Sequence, residues 1–246
     1  MSERSRLDQE LEARGLLPSR ARARDAILRG TVKVNGIPAQ KPNQQVGPAD
    51  AITLDDPAAR YVSRAALKLV AGLDAGAIDP MGKTCLDLGA STGGFTEVLL
   101  ERGAKRVYAV DVGHDQLHER LRVDGRVICL EGVNGRDLTP ELIPEPIDLI
   151  VSDVSFVSIL KVIDPALALT APGADAAILI KPQFEVGREN IGKGGIVTDD
   201  AAVSEAVLRI TAHLADAGWT HRFAISSPIA GGDGNREIVA GFRRNS

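Results

Sequence analysis

The sequence predicts an α/β protein: a doubly wound domain on a parallel sheet, seven strands in all, preceded by a small α+β unit. Three observations predict it. From residue 61 onward, short apolar runs alternate with helical stretches, the pattern of strands covered by helices on both faces. The first of those runs ends in an acidic residue and opens into glycines, Asp87-Leu88-Gly89-Ala90-Ser91-Thr92-Gly93-Gly94. The first 55 residues read differently, with short helical segments, an Asn-Gly turn and a concentration of arginine.

In chain order, Leu7, Leu11 and Leu16 mark one face of a short helix that Gly15 and Pro18 bring to an end. Ser19 is placed to cap a second helix over 20–29, with Ala23, Ala26 and Ile27 inward and Gly30 as its stop. Arg20, Arg22, Arg24 and Arg29 then project mostly outward and are read as lacking acidic partners at i,i+4. Val32-Lys33-Val34-Asn35-Gly36-Ile37 alternates across an Asn-Gly pair, the strongest short-range hairpin signal. A strand at 51–54 completes a first domain over 1–55, and 56–62 reads as a linker to a second domain over 63–246. In that second domain strands are expected at 84–88, 106–110, 127–130, 147–152, 176–180, 221–227 and 237–242. Helices are expected around 63–75, 95–103, 115–122, 156–170 and 200–217.

Charge is distributed unevenly. The net charge is −4, which argues against a uniformly basic coat. Residues 14–41 nevertheless carry seven basic side chains against one acid, Asp25, a local patch of the kind that steers polyanions. No apolar run reaches the roughly 18–20 residues that span a bilayer, and no signal-peptide core follows the N-terminus. A cytoplasmic location is expected, with neither membrane nor DNA as a partner. Cys85 and Cys129 sit in apolar strand-like runs and read as small core thiols. His114 and His118, four apart, read as solvated side chains, and no metal is expected.

The glycine turn narrows the ligand. A dinucleotide site needs G-x-G-x-x-G and a P-loop needs Gly-Lys-Ser/Thr; this turn offers G-x-x-x-G-G with an acidic residue beside it. Such a carboxylate repels phosphate but can receive a cationic amino group. The next strand ends in Asp111, where a carboxylate can accept both hydroxyls of a ribose.

The pattern from Asp87 through Gly89, Gly93, Gly94, Phe95 and Thr96 resembles motif I of class I (Rossmann-like) S-adenosylmethionine-dependent methyltransferases. The resemblance implies S-adenosyl-L-methionine as cofactor, held by Asp87, Gly89, Ser91, Thr92, Gly93, Gly94, Phe95 and Asp111. It also implies that Asn134 and Arg136, after the third strand, lie near the adenine. The first 55 residues resemble the αL-type RNA-binding domain of a small-subunit ribosomal protein, several pseudouridine synthases and heat-shock ribosome-binding proteins. The matching residues are Arg6-Leu7-Asp8, Ser19-Arg20-Ala21-Arg22-Ala23, Ile27 and the turn ending Val34-Asn35-Gly36. That resemblance implies Arg6, Arg20, Arg22, Lys33 and Lys41 as phosphate contacts. No aromatic residue precedes Tyr61, which suits structured RNA read by backbone and shape.

Four residues fall where strand ends converge: Lys68 on the helix before the first strand, Asp153 after the fourth, Lys181 ending the fifth, and Glu237 at the start of the last. A lysine directly after Ala-Ala-Ile-Leu-Ile sits at the rim of a buried sheet, where an unpaired charge is costly. Together the four match the Lys-Asp-Lys-Glu tetrad of FtsJ-like ribose 2′-O-methyltransferases. With Lys181-Pro182-Gln183-Phe184-Glu185 and Gly234-Asn235, the chain resembles the TlyA family from about Arg6 to Phe242. The resemblance implies 2′-O-methylation of cytidine in ribosomal RNA, within ribosomal subunits. Lys181 would be the central group, with Asp153 and Glu237 as orienting or proton-accepting partners and Lys68 positioning the ribose or its phosphate. The rival readings are a non-catalytic RNA-binding or ribosome-assembly factor, a membrane-active haemolysin, and a base-directed or small-molecule methyltransferase.

Overall fold

The computed structural model describes residues 4–246; residues 1–3 of the expected first domain lie outside the described residues. The chain divides into two compact units, Met1–Arg60 and Tyr61–Ser246. Among the described residues no helix is long and apolar enough to cross a membrane.

In the first unit, β1 (Ser5–Arg6) pairs antiparallel with β4 (Gln45–Val46). Helices α1 (Leu7–Ala13) and α2 (Arg20–Leu28) pack beside a three-stranded sheet of β2 (Val32–Val34), β3 (Ile37–Pro38) and β5 (Ile52–Leu54), ordered β3-β2-β5. The local signals act as expected. The Ser19 hydroxyl accepts the Arg22 N–H at 3.3 Å, and Gly30 follows α2 at φ +76°. Asn35 and Gly36, at φ +51° and +81°, turn β2 into β3 as a primed hairpin turn requires. Leu16 does not face inward: α1 ends at Ala13, Gly15 reverses the backbone at φ +68°, and Leu17 is the residue buried with Leu7, Leu11, Ile27 and Val32. Residues Pro57–Arg60, read as linker, form a single 3-10 turn whose Ala58 is buried.

The second unit is wound on one seven-stranded sheet. Its strands are β6 (Thr84–Leu88), β7 (Arg106–Asp111), β8 (Val127–Glu131), β9 (Ile147–Ser152), β10 (Thr170–Ile180), β11 (Trp219–Ser226) and β12 (Ile238–Arg244), ordered β11-β12-β10-β9-β6-β7-β8. Pairing is parallel from β10 to β8, and β12 runs antiparallel to both β10 and β11. Helices α3 (Ala66–Gly76), α4 (Gly94–Glu101), α5 (Glu119–Arg122), α6 (Asp164–Ala168), α7 (Pro182–Glu185) and α8 (Asp200–Asp216) connect the strands. One apolar core joins Leu86, Ile150, Ile178, Ile210, Trp219 and Phe242; a second joins Leu69, Leu73, Cys85, Val98, Val107 and Val151. Alternate side chains of the central strands thus enter opposite cores, as a sheet covered on both faces demands. Burial pushes the Cys85 thiol up to about 12.

Two expected helices are shorter than the periodicity suggested. The segment 156–170 contains only a 3-10 turn at Ile159–Lys161 and α6, because Phe156 adopts a left-handed φ of +66° and α6 begins anew at Asp164-Pro165. The segment 115–122 is helical only over α5, since Asp115 sits at φ +54° and the His118 side chain caps α5 at its N-terminus. The chain leaves β6 toward β7 and β8 on one side, and returns through β9 and β10 on the other. The carboxyl ends of β6 and β9, joined by the Leu88–Ser152 register pair, therefore flank a topological switch point, where doubly wound sheets bind ligands.

Candidate active site and cofactor cavity

The turn after β6 packs against the segment after β9, and glycine is what permits it. Gly89 has φ +86°, and a Cβ there would meet the Val154 Cα and N at 3.0 Å. Gly93, at φ +95°, starts α4 where a Cβ would strike Leu121 Cδ1 at 2.3 Å, and at Gly94 it would meet Ser63 Cβ at 2.8 Å. Phe95 is buried beneath the turn, while Ser91 and Thr92 line a cavity at its edge. Asp87 is fully buried and lines neither of the cavities described below, so it holds the turn from behind. Thr96 Oγ1 donates to its Oδ2 at 2.6 Å, and its Oδ1 has no hydrogen-bond partner. Burial first, then the charges of Asp153 and Asp111, push this carboxyl up to about 7. Asp111 accepts the Ser91 N–H on Oδ2 and the Gly113 N–H on Oδ1, both at 2.8 Å. Each of its oxygens keeps a lone pair for a further donor.

A cavity of about 510 Å³ opens at the switch point, lined by Gly89, Ser91, Asp111, Gln116, Asn134, Arg136, Asp153 and Phe156 among others. That volume is in the range of small-molecule and cofactor sites. The Asn134 side chain accepts the Arg136 N–H at 3.0 Å, and Arg136 Nε donates to the Lys161 carbonyl at 2.9 Å. A smaller cavity of about 130 Å³ adjoins it, lined by Ser63, Thr92, Gly94 and Phe95. Gly89, Ser91, Asp153 and Ser155 line both.

Lys181, Asp153, Lys68 and Glu237 meet at this end of the sheet. The β10–β12 ladder ends on the Ile180–Ile238 pair, so Lys181 and Glu237 are the next residues on neighbouring strands. The four form two ion pairs. Lys68 pairs with the Glu237 carboxylate, both buried. Lys181 Nζ lies 2.7 Å from Asp153 Oδ1 and donates to the Asp153 carbonyl at 3.1 Å and Ser155 Oγ at 2.5 Å. Those two acceptors take two of the ammonium's three hydrogens, which leaves the third for the buried Asp153 Oδ1. The expected grouping of Glu237 with Lys181 therefore changes: each buried ammonium takes its own carboxylate, which offsets the cost of desolvating both charges.

Neighbouring segments hold this end rigid. The Glu185 carboxylate accepts the Ile159 N–H at 2.8 Å and the Ser158 hydroxyl at 2.7 Å, and burial pushes its pKa up. Asn235, 1% exposed, accepts the Val197 N–H and donates to the Gly195 carbonyl, both at 2.9 Å, tying two glycine-containing loops together. Ser155 and Phe156 also line the larger cavity, and the sequence did not single them out. Phe156 is 92% exposed at the cavity's edge and faces Phe184 with ring centroids 5.5 Å apart. The only cue for Ser155 was its place two residues after Asp153.

In the first unit Arg6 binds the Asp8 carboxylate through two hydrogen bonds, at 2.9 and 2.8 Å, and Arg20 approaches it at 3.4 Å. Arg6 in the first place holds the Asp8 carboxyl below its ordinary range. These residues line a cleft of about 400 Å³ with Arg24 and Asn43. Lys33 and Lys41 are exposed. Arg22 and Arg29 depart from expectation. Arg22 is half-buried, its guanidinium donating to the Ala58 carbonyl at 2.7 Å. Arg29 is an internal strut, paired at i,i+4 with Asp25 and through two hydrogen bonds with the buried Asp56.

Comparison with known proteins agrees with this architecture. A family model described as FtsJ-like methyltransferase matches residues 61–244, and one described as S4 domain matches residues 5–52. A Mycobacterium tuberculosis protein named 16S/23S rRNA (cytidine-2'-O)-methyltransferase TlyA is 45% identical over 244 residues, 99% of this chain and 91% of the relative. Hemolysin A of Brachyspira hyodysenteriae is 41% identical over 239 residues, 96% of this chain and 99% of the relative. A solved chain from Streptococcus thermophilus, provisionally named a hemolysin, superimposes with a TM-score of 0.77 at 35% identity, covering 100% of this chain and 90% of that one.

Proposed function

The chain belongs to the TlyA family of FtsJ-like methyltransferases and carries an S4 domain, and from that premise we propose that it methylates the 2′-hydroxyl of a cytidine in ribosomal RNA, with S-adenosyl-L-methionine as donor. One observation carries the reading: the Lys181 ammonium is clamped by Asp153 and Ser155, two residues that line both cavities. The choice of cytidine and of ribosomal RNA follows the name of the Mycobacterium tuberculosis relative.

The residues present fit the cofactor. Gly89 provides a cradle that a Cβ would fill, and Asp111 has acceptor capacity left for a ribose diol. Ser91 and Thr92 would lie along the methionine portion, and Asn134 and Arg136 along the adenine. When bound, S-adenosylmethionine supplies a methyl group already activated on a sulfonium.

The protein's task is then to align and activate a poor nucleophile. Asp153, which lines both cavities beside Lys181, is the acceptor for the proton of the 2′-hydroxyl. Lys181 stabilises the charge that develops on that oxygen, and its fixed partners remove the need to reorganise during the reaction. Lys68, held by Glu237, neutralises phosphate beside the target ribose. Phe156 offers the target nucleotide's base a stacking surface, as aromatic side chains do for unstacked bases in RNA recognition. Arg6, Arg20, Lys33 and Lys41 supply phosphate contacts to the surrounding RNA, and the ribosomal subunit in the cytoplasm is the partner. The test is Lys181→Ala. Methyl transfer to ribosomal subunits falls below detection while S-adenosylhomocysteine affinity stays within about twofold of wild type; near-wild-type turnover would sink the assignment.

A further inference from the structure

Glu131, the last residue of β8, touches neither the tetrad nor the glycine turn, yet its carboxylate gathers four donors. Oε1 accepts the N–H groups of Gln116 and Leu117, both at 2.8 Å. Oε2 accepts the Asp115 N–H at 3.0 Å and Arg122 Nη2 at 2.7 Å. The Leu117 N–H above all, followed by Arg122, holds this carboxyl down to about 2. Three successive backbone donors converging on one side chain fix a segment that would not hold this shape unaided. Asp115 lies at φ +54°, a strained conformation for a residue with a Cβ, and such strain persists only where the surroundings over-determine it.

The held segment forms one wall of the larger cavity. Asp111, Gly113 and Gln116 all line it, and Gln116 lies so close over Gly113 that a Cβ there would meet its Nε2 at 1.6 Å. At its far end the segment reaches the glycine turn: His118 N–H donates to the Thr92 carbonyl at 3.2 Å, and Leu117 Cδ1 sits 2.8 Å from where a Gly93 Cβ would be. One carboxylate on β8 is therefore connected both to the wall beside Asp111 and to the turn opposite. We propose that Glu131 is a positioning residue for the cofactor, acting through Gln116 and Leu117 to set the distance between the Asp111 wall and the glycine turn. This rests on the reading that the cavity holds S-adenosylmethionine.

The test is isothermal calorimetry of the full chain with S-adenosylhomocysteine, for wild type, Glu131→Ala, Gln116→Ala and the double variant. Glu131→Ala should weaken binding about tenfold or more, since three aligned backbone groups lose their acceptor. In turnover assays it should raise KM for S-adenosylmethionine while kcat at saturating cofactor stays within about twofold. If Glu131 acts through Gln116, the double variant binds more tightly than the two single losses added together would allow. Should Glu131→Ala fail to fold, Glu131→Gln carries the same measurement with the shape kept and the charge removed. Wild-type affinity in the folded Glu131 variant, or full additivity in the double variant, overturns the proposal alone. A wild-type chain that binds no S-adenosylhomocysteine overturns the cofactor reading, and the proposal with it.

Discussion

Replacing Asp87 by asparagine should make the difference in stability between variant and wild type depend on pH, with a sign that reverses. The Asp87 carboxyl is fully buried, has one hydrogen-bond donor in Thr96, and is pushed up from 3.8 to about 7 by burial and by the neighbouring carboxylates. In the unfolded chain it ionises near its ordinary value. Between those two limits the folded protein holds a proton that the unfolded chain has released, so stability falls as pH rises through this window. A gap of about three pH units corresponds to about 4 kcal/mol, of which roughly 2 kcal/mol is lost between pH 5 and 7. Asparagine keeps an acceptor for Thr96 and cannot ionise, but leaves its amide N–H groups facing the position where Oδ1 has no partner, at a cost of about 1–3 kcal/mol. Asp87→Asn is thus less stable than wild type near pH 4 and more stable above pH 7. Urea unfolding of both proteins from pH 4 to 8.5 measures this directly, and taking the difference cancels the titrating groups that do not interact with Asp87. A difference that stays constant across the range would refute the reasoning.

Gly89→Ala should cost at least about 1–2 kcal/mol for the left-handed backbone alone, and should weaken S-adenosylhomocysteine more than about tenfold as the Cβ presses on Val154; calorimetry and thermal melting test both, and unchanged affinity would remove the turn from the site. Arg20 and Arg29 should separate cleanly, although both were read as surface residues. Arg20→Ala leaves stability nearly untouched and lowers the salt dependence of ribosomal RNA binding by about one ion, whereas Arg29→Ala strands the buried Asp56 and destabilises the first unit by about 3–5 kcal/mol. Phe156→Ala should raise KM for RNA by about tenfold, in keeping with roughly 1–3 kcal/mol for stacking one base; an unchanged RNA KM would show that the exposed ring has no part in holding the target.

How much of this was legible in the sequence depends on how local each cause is. The strands of the second unit announced themselves because each is a short apolar run, and the Asn35-Gly36 hairpin and the Ser19 cap were legible because their signals lie within four residues. The glycine turn was legible because only glycine tolerates φ +86° against the Val154 backbone. The pairing within the tetrad was not. Which ammonium takes which carboxylate depends on the register of β10 against β12 and on where α3 lies, both of them long-range facts. Arg29 was misread for two reasons: Asp56 lies 27 residues away, but Asp25 at i,i+4 was there to be seen. Ser155, Phe156 and Glu131 are single residues in or beside loops, with no periodicity to mark them. The broken helix over 156–170 has the same origin, since nothing in a run of helix-compatible residues foretells that Phe156 turns left-handed.

The position of the methyl group in the product distinguishes a ribose acceptor from a base acceptor. Ribosomal subunits from cells lacking this protein are incubated with the purified chain and tritiated S-adenosylmethionine, and the RNA is then hydrolysed in alkali. A 2′-O-methyl group blocks cleavage at its own nucleotide, so the account predicts that the label appears in alkali-resistant dinucleotides whose 5′ residue is cytidine. Label released only as mononucleotides would place the methyl on a base and contradict the account.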